Sequence, residues 1–349
     1  MPLPSSGAIS LQDVNVELGV VATTAISMDQ ATVRTLFQVP SGTISMSNGY
    51  GKSNRVTASF TFSTNSINQT VDISTLPGYV SGSTDVTVTV NSNIYVYSTA
   101  TNTPGLLITG GAAGDTCTLV NNGFILGMGG NGTSVVNAVA IAPTAGGDAL
   151  RLGRNLTVTN NGYIAGGGGG GGAGGAGGGG GAGGGTGGNT QLTPTTQVPG
   201  GAGGGPGAAG SNSTVSQVGA PPNTIRRSGA GGGGRVLPGT GGVGGNTNAT
   251  NNIPGGGGGA GGGGGSLYVQ NQNLDLQGGA GGGANNTGAA GTRLNTTTSF
   301  PGSGGGGWGA SGGSFSGATF AGAAGGRAIA LNGFTATVSG TGITYGATS

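Results

Sequence analysis

Ile253-Pro254-Gly255-Gly256-Gly257-Gly258-Gly259-Ala260-Gly261-Gly262-Gly263-Gly264-Gly265 offers nothing larger than a methyl group after its proline. Such a run has no side chains to bury, and each Gly costs roughly 0.5–1 kcal/mol more than Ala to order. The segment 166–326 holds 66 of the chain's 90 glycines, an extra entropy loss on the order of 30–60 kcal/mol. Two outcomes are open. Either the segment is a flexible coil, or its amides and carbonyls satisfy one another between neighbouring tracts.

The punctuation of the tracts favours the second outcome. Four entries repeat an apolar-Pro-Gly step: Val198-Pro199-Gly200, Leu237-Pro238-Gly239, Ile253-Pro254-Gly255 and Phe300-Pro301-Gly302. Each Pro presets φ near −65°. The tracts 200–210, 254–265 and 302–313 have 11, 12 and 12 residues, so at about 3.1 Å per residue each spans roughly 34–37 Å as a polyproline II-type helix. The opening tract, 166–188, has 23 residues, close to two such lengths. Collagen is excluded because the strict Gly-X-Y period is absent. Only 5% of residues are charged, whereas disorder usually brings high net charge. The expected fold class is therefore mainly β with a polyglycine II bundle of about eight antiparallel or mixed helices.

Composition restricts the chemistry. The chain lacks histidine, and Glu17, Lys52 and Cys117 are the only residues of their types. This leaves no internal disulfide or metal cluster and almost nothing for acid–base catalysis. G-x-G-x-x-G recurs by composition alone. Gly51-Lys52-Ser53 ends like a P-loop, but Met46 stands where its first Gly belongs. Calcium-binding glycine repeats need an Asp in each unit, and 166–326 contains only Asp275. The expectation is a non-enzyme without a cofactor. The first residues carry neither a basic n-region nor an apolar h-region, and no apolar run reaches the length of a membrane span. A virion component, assembled in the host cytoplasm without a signal peptide or membrane insertion, fits both observations.

Residues 1–149 carry a formal charge of −4 and residues 150–349 one of +6. The seven arginines of the second half are scattered. They serve either solubility or attraction to an anionic glycan or lipid phosphate. Nucleic acid is not expected, because no basic stripe is interleaved with aromatics.

The chain divides into an N-terminal head (1–53), a β-strand domain (54–165), the glycine region with its loops (166–326) and a C-terminal strand cap (327–349). In the head, Ile9-Ser10-Leu11, Ile26-Ser27-Met28 and Ile44-Ser45-Met46 repeat one unit. Ser10 with Asp13, and Ser27 with Gln30, have capping-box spacing and predict two helices, the second ending near Phe37. Ile9 can staple onto Val14, and Gly19 can end the first helix. Residues 56–62, 86–90, 94–97, 116–120 and 156–159 alternate with the period of half-buried strands. Asn121-Asn122-Gly123-Phe124-Ile125 and Asn160-Asn161-Gly162-Tyr163-Ile164 are near-duplicates. They read as strand–turn units, Asn-Gly being a tight-turn signal, that set the register of the first glycine helices. The tail from Gly326 through Val338 resumes strand character and is expected to pack back on the strand domain.

The head motif Pro4-Ser5-Ser6-Gly7-Ala8-Ile9-Ser10-Leu11, echoed by Pro40-Ser41-Gly42-Thr43-Ile44-Ser45-Met46, resembles the N-termini of many tailed-phage virion proteins. The Asn-Asn-Gly-aromatic units, the glycine tracts and the Ala-Ile-x-Leu-Asn-Gly ending are similar to glycine-rich tail-fibre proteins and tip adhesins. That resemblance implies a layered polyglycine II sandwich whose distal loops recognise the host surface. It also implies attachment to other virion proteins, here through residues 1–53. The loops depart from that pattern. They are mostly Thr, Asn and Gln, where such adhesins carry aromatics and a separate attachment domain.

Arg226, Arg227, Tyr268, Arg293 and Trp308 are the candidate receptor contacts, for a host glycan or an outer-membrane protein. Arg226-Arg227 sits in the longest loop and suits an anionic contact or plain solvation. Trp308 suits a sugar-stacking platform or a ring capping the bundle edge, and Tyr268 a similar platform or a loop strand. The function expected is a tail-fibre or tail-tip protein contributing to adsorption. One alternative is a purely architectural collar, baseplate or capsid decoration, and another is a glycine-rich ice-binding protein. Adsorption blocking separates the first two, and freezing hysteresis the third. A homotrimer suits a fibre and a monomer a tip.

Overall fold

The computed structural model describes residues 2–136, 139–172, 177–181, 185, 187–188, 190–193, 196–198, 200–205, 207–212, 215–218, 225–228, 233–234, 261–262, 267–269, 274–277, 279–283, 286–293, 302–314 and 320–349. They form two compact units. The first is Met1–Phe60, Asp72–Val88 and Gly110–Thr118, and the second is Thr61–Val71, Thr89–Thr109 and Leu119–Ser349.

Strands recur in five rounds along the chain. Round one holds β1 (Val56–Phe62), β2 (Ser66–Ile67) and β3 (Gln69–Asp72). Round two holds β4 (Thr84–Val90), β5 (Tyr95–Tyr97) and β6 (Leu106–Thr109). Round three holds β7 (Thr116–Asn121), β8 (Phe124–Leu126), the hairpin β9 (Ser134–Val136) and β10 (Val139–Ile141), and β11 (Leu150–Leu152). Round four begins with β12 (Leu156–Asn160) and β13 (Tyr163–Ala165). It then passes through the glycine region, with β14 (Thr190–Thr193), β15 (Thr196–Val198), β16 (Val215–Val218), β17 (Ile225–Ser228), β18 (Leu267–Val269), β19 (Leu274–Gln277) and β20 (Thr292–Arg293), and ends with β21 (Ile329–Ala330). Round five holds β22 (Ala336–Ser339) and β23 (Ile343–Tyr345).

In the second unit these rounds wind as a three-sheet parallel solenoid. One sheet runs β2-β5-β8-β13-β23 and another β21-β11-β6-β3. The third contains β12 and β22 in parallel register, together with the last residues of β1, β4 and β7. Its ladder continues through Asn91 N to Phe62 O, Asn122 N to Val90 O and Asn161 N to Asn121 O. The core is what the alternation dictates. Val90, Leu119 and Val158 face inward from one wall, Val96, Ile125 and Ile164 from the second, and Ile108, Leu150, Leu152 and Ile329 from the third, all buried. Each is worth about 1.5–3 kcal/mol of transfer free energy.

The near-duplicates are successive corners of this solenoid. Tyr163, Ile164 and Ala165 stand directly over Phe124, Ile125 and Leu126. Asn121 and Asn160 are buried beneath them, Asn121 Nδ2 donating to Asn160 Oδ1 at 2.8 Å and Asn160 Nδ2 to Ile343 O at 3.2 Å. A buried amide left unpaired is costly; Asn160 satisfies Asn121, and the Ile343 carbonyl of the next round satisfies Asn160. The Asn-Gly steps therefore turn the chain between sheets, not back along a hairpin.

The glycine region departs at the end of β13 and returns at β21, within one round of the solenoid. The expected fold class is corrected here. Regular structure among the described residues is mainly parallel β-sheet with two short α-helices, and a polyglycine II bundle is not among its elements. The backbone groups of the described glycines bond laterally, but to varied partners. Gly168 N donates to Gly181 O and Gly171 N to Gly178 O, both at 2.7 Å, and Gly178 N donates to Ser303 O at 2.8 Å. Gly170 N reaches Thr144 O and Gly177 N reaches Thr133 O, both at 3.0 Å. Uniform rods read tract by tract missed this mixing with side-chain-bearing segments of round three. The prolines of the four apolar-Pro-Gly entries lie outside the described residues.

In the first unit, α1 (Leu11–Glu17) starts at Ser10 with the reciprocal box expected. Asp13 N donates to Ser10 Oγ at 3.1 Å and Ser10 N to Asp13 Oδ2 at 2.8 Å. Gly19, at φ +74°, closes it. The second helix, α2 (Ala31–Phe37), ends where expected but begins after Gln30. Ser27 is consumed by a turn, accepting Asp29 N on Oγ and Gln30 N on its carbonyl. The third repeat unit, Ile44-Ser45-Met46, also opens a helix, a single 3-10 turn at Met46–Gly49 boxed by Ser45 and Asn48. Ile9, Ile26, Met28, Ile44 and Met46 all pack on one core of Leu3, Val14, Val33, Leu36 and Phe37. The sequence repeat thus supplies a single cluster.

Candidate functional site

Three segments between glycine runs converge in one antiparallel sheet, ordered β16-β17-β18-β19-β20. β-Branched, leucine and tyrosine residues alternating with polar ones suit such short strands. The register places Arg226 opposite Tyr268, with Gln217 and Asp275 on either side, so Gln217, Arg226, Tyr268 and Asp275 form one row across four strands. The adjacent row is Ser216, Arg227, Leu267, Leu276 and Arg293. Rows of a sheet alternate between its faces. Four candidate residues, distant in sequence, are therefore brought into one sheet and divided between two rows. The hairpin β14–β15 lies alongside β16 and β17.

Trp308 is not part of that sheet. It is 3% exposed, packed with Leu126 and Ala165 and edge-on to Tyr345 at 5.0 Å. A ring so placed offers solvent no stacking face.

The solenoid carries a feature that the sequence reading did not single out. Tyr95 stacks on Phe124 (centroids 4.3 Å, planes 8° apart), Phe124 on Tyr163 (5.3 Å, 7°) and Tyr163 on Tyr345 (6.4 Å, 17°). Burial pushes the Tyr95 and Tyr345 phenols up. The signal was available, because Phe124 and Tyr163 follow Asn-Gly at the same place in the duplicate.

Where the glycine region rejoins the solenoid, Asp148 is buried between two arginines. Arg151 Nη2 donates to Asp148 Oδ2 at 3.0 Å, and Arg327 Nε and backbone N to Oδ1, each at 3.2 Å. Burial alone would raise the Asp148 carboxyl, but the hydrogen bonds from Arg151 and Arg327 outweigh it and hold the group below the usual carboxylate range. Among the described residues no group of three or more His, Cys, Asp or Glu could hold a metal ion, and no helix is long and apolar enough to cross a membrane.

A family model described as phage tail fibre adhesin Gp38 matches residues 53–236. The chain belongs to the Gp38 family of phage tail fibre adhesins. The adhesin is a virion component that takes part in recognising the host receptor. It is similar over 99% of its length, at 17% identity, to a chain of the crystal structure of the gp37-gp38 adhesin tip complex of the bacteriophage S16 long tail fiber, which is covered completely with a TM-score of 0.37. No curated protein matches the adhesin.

Proposed function

We propose that the adhesin meets its receptor through the loop sheet β16–β20, without catalysis and with Arg226 and Tyr268, which share one row, as contacts; Arg227 and Arg293 belong to the adjacent row. The observation that carries this reading is the register of Arg226 against Tyr268. A cationic and an aromatic residue separated by a long glycine-rich stretch take paired register positions, a combination suited to a receptor with both anionic and apolar groups. Trp308 then acts from inside, holding the solenoid end at Tyr345. The head, residues 1–53, joins the adhesin to another protein of the tail fibre. Its own small core supports that role, and a homotrimer is one way of mounting it.

Competition for adsorption tests the reading. Purified adhesin should block phage binding to its host, and Arg226→Ala with Tyr268→Ala should weaken the block at least tenfold. Full blocking by that double variant sinks the assignment of the sheet. No blocking by the unaltered protein would favour the purely architectural reading.

A further inference from the structure

We propose that the open end of the aromatic ladder, at Tyr95, is a second binding site, for an uncharged pyranose of a host surface glycan. The site lies on the solenoid and does not depend on the loop sheet.

The ladder has a defined end. Ser66 pairs with Val96 and Ile67 with Tyr97, which sets Asn65 opposite Tyr95. Asn65 Oδ1 accepts the Tyr95 amide at 2.9 Å. One face of the Tyr95 ring is stacked on Phe124, and the position next in register beyond Tyr95 is Asn65. A ladder built only to stack gains by ending under an apolar side chain. This one ends under a solvent-exposed asparagine.

The surroundings specify the ligand. Ser63, Thr64 and Asn65 turn one corner and Asn91, Ser92 and Asn93 the next, and all six are exposed. Hydroxyls and carboxamides of this kind both donate and accept, as sugar hydroxyls do. Neither 61–71 nor 89–109 contains a charged residue, so a carboxylated or phosphorylated sugar would find no ion-pair partner. The electron-rich face of an aromatic ring attracts positively polarised edges, and the axial C–H bonds of a pyranose present such an edge. Ile67, 46% exposed and two residues along the chain from Asn65, adds an apolar flank.

Saturation-transfer NMR on the full chain tests the proposal with maltose, lactose and melibiose, and with glucose 6-phosphate and glucuronic acid as charged controls. At least one neutral disaccharide should bind saturably, with a Kd on the order of 1 mM. Tyr95→Ala should weaken that binding more than tenfold. Asn65→Tyr should do the same by extending the ladder, with thermal melts checking that the fold survives the loss of the Asn65–Tyr95 hydrogen bond. Val21→Ser, at an exposed position of the first unit, should leave it unchanged. Absence of any saturable neutral ligand, tighter binding of a charged control, or unaltered binding by Asn65→Tyr would each overturn the site.

Discussion

Arg327 and Asp148 are joined across 179 positions of sequence by two side-chain contacts, Nε to Oδ1 at 3.2 Å and Nη2 to Oδ2 at 3.4 Å. Asp148 lies just before β11 of round three, and Arg327 lies just before β21, which pairs with β11. The pair thus marks the point at which the chain re-enters the solenoid after the glycine region. Arg151, on the adjoining strand, holds the same carboxylate.

Replacing Asp148 with Ala should destabilise the adhesin by about 1–3 kcal/mol. Removing one member of a buried pair costs about 3–5 kcal/mol when the other charge stays buried. Here Arg151 and Arg327 have side chains 29% and 42% exposed, and water recovers part of the loss. Urea unfolding of the two proteins at neutral pH measures the difference.

Acid should weaken the same contact. The carboxyl is held below its unfolded value of about 3.9, so the unfolded chain binds the proton first. The stabilisation is complete above about pH 4 and is lost as pH falls through the lower folded value. Thermal melts between pH 7 and pH 2.5 should show a smaller acid-induced drop in Asp148→Asn than in the unaltered adhesin.

Glycines of the insertion should differ sharply in their tolerance of alanine. A Cβ at Gly168 would fall closer than 3.0 Å to backbone atoms of Gly306, Gly307 and Gly181, whereas one at Gly205 would meet nothing within 4 Å. Gly168→Ala should cost about 1–3 kcal/mol through overpacking. Gly205→Ala should be neutral or stabilise by up to about 1 kcal/mol, through lower entropy of the unfolded chain. Parallel melting curves decide both.

Trp308→Ala should destabilise by about 3–5 kcal/mol, as truncating a buried large aromatic does. Its effect on adsorption at temperatures where the fold persists should be small. Loss of adsorption with unchanged stability would restore Trp308 as a direct contact.

Local chemistry was the legible part. The capping box of Ser10 and Asp13 needs only four neighbouring residues, and α1 follows from it. The same spacing at Ser27 and Gln30 gave a start too early, because Asp29 competes for Ser27 Oγ and is then taken by Arg34 at 2.7 Å. The duplicate around Asn121 and Asn160 was visible as a repeat. Its meaning was not, since a parallel register between rounds is a property of distant partners, and Asn-Gly turns a chain at a hairpin and at a solenoid corner alike. Glycine tracts carry no side-chain pattern at all, so which segment each one bonds to left no trace in the residues. The convergence of Arg226, Tyr268 and Arg293 in one sheet was equally hidden, because the strands that bring them together are three or four residues long or shorter.

Seen from the solenoid, everything between β13 and β21 is one loop. The winding requires only that the two ends arrive at neighbouring walls, and the Arg327–Asp148 clasp secures the return. What lies between is tied to the frame along one seam, where Trp308 packs on Leu126 and Ala165 and glycines bond to Thr133 and Thr144 of round three. Length can therefore change away from that seam at no cost to the register of the coils, whereas a change along the seam is felt by the frame itself.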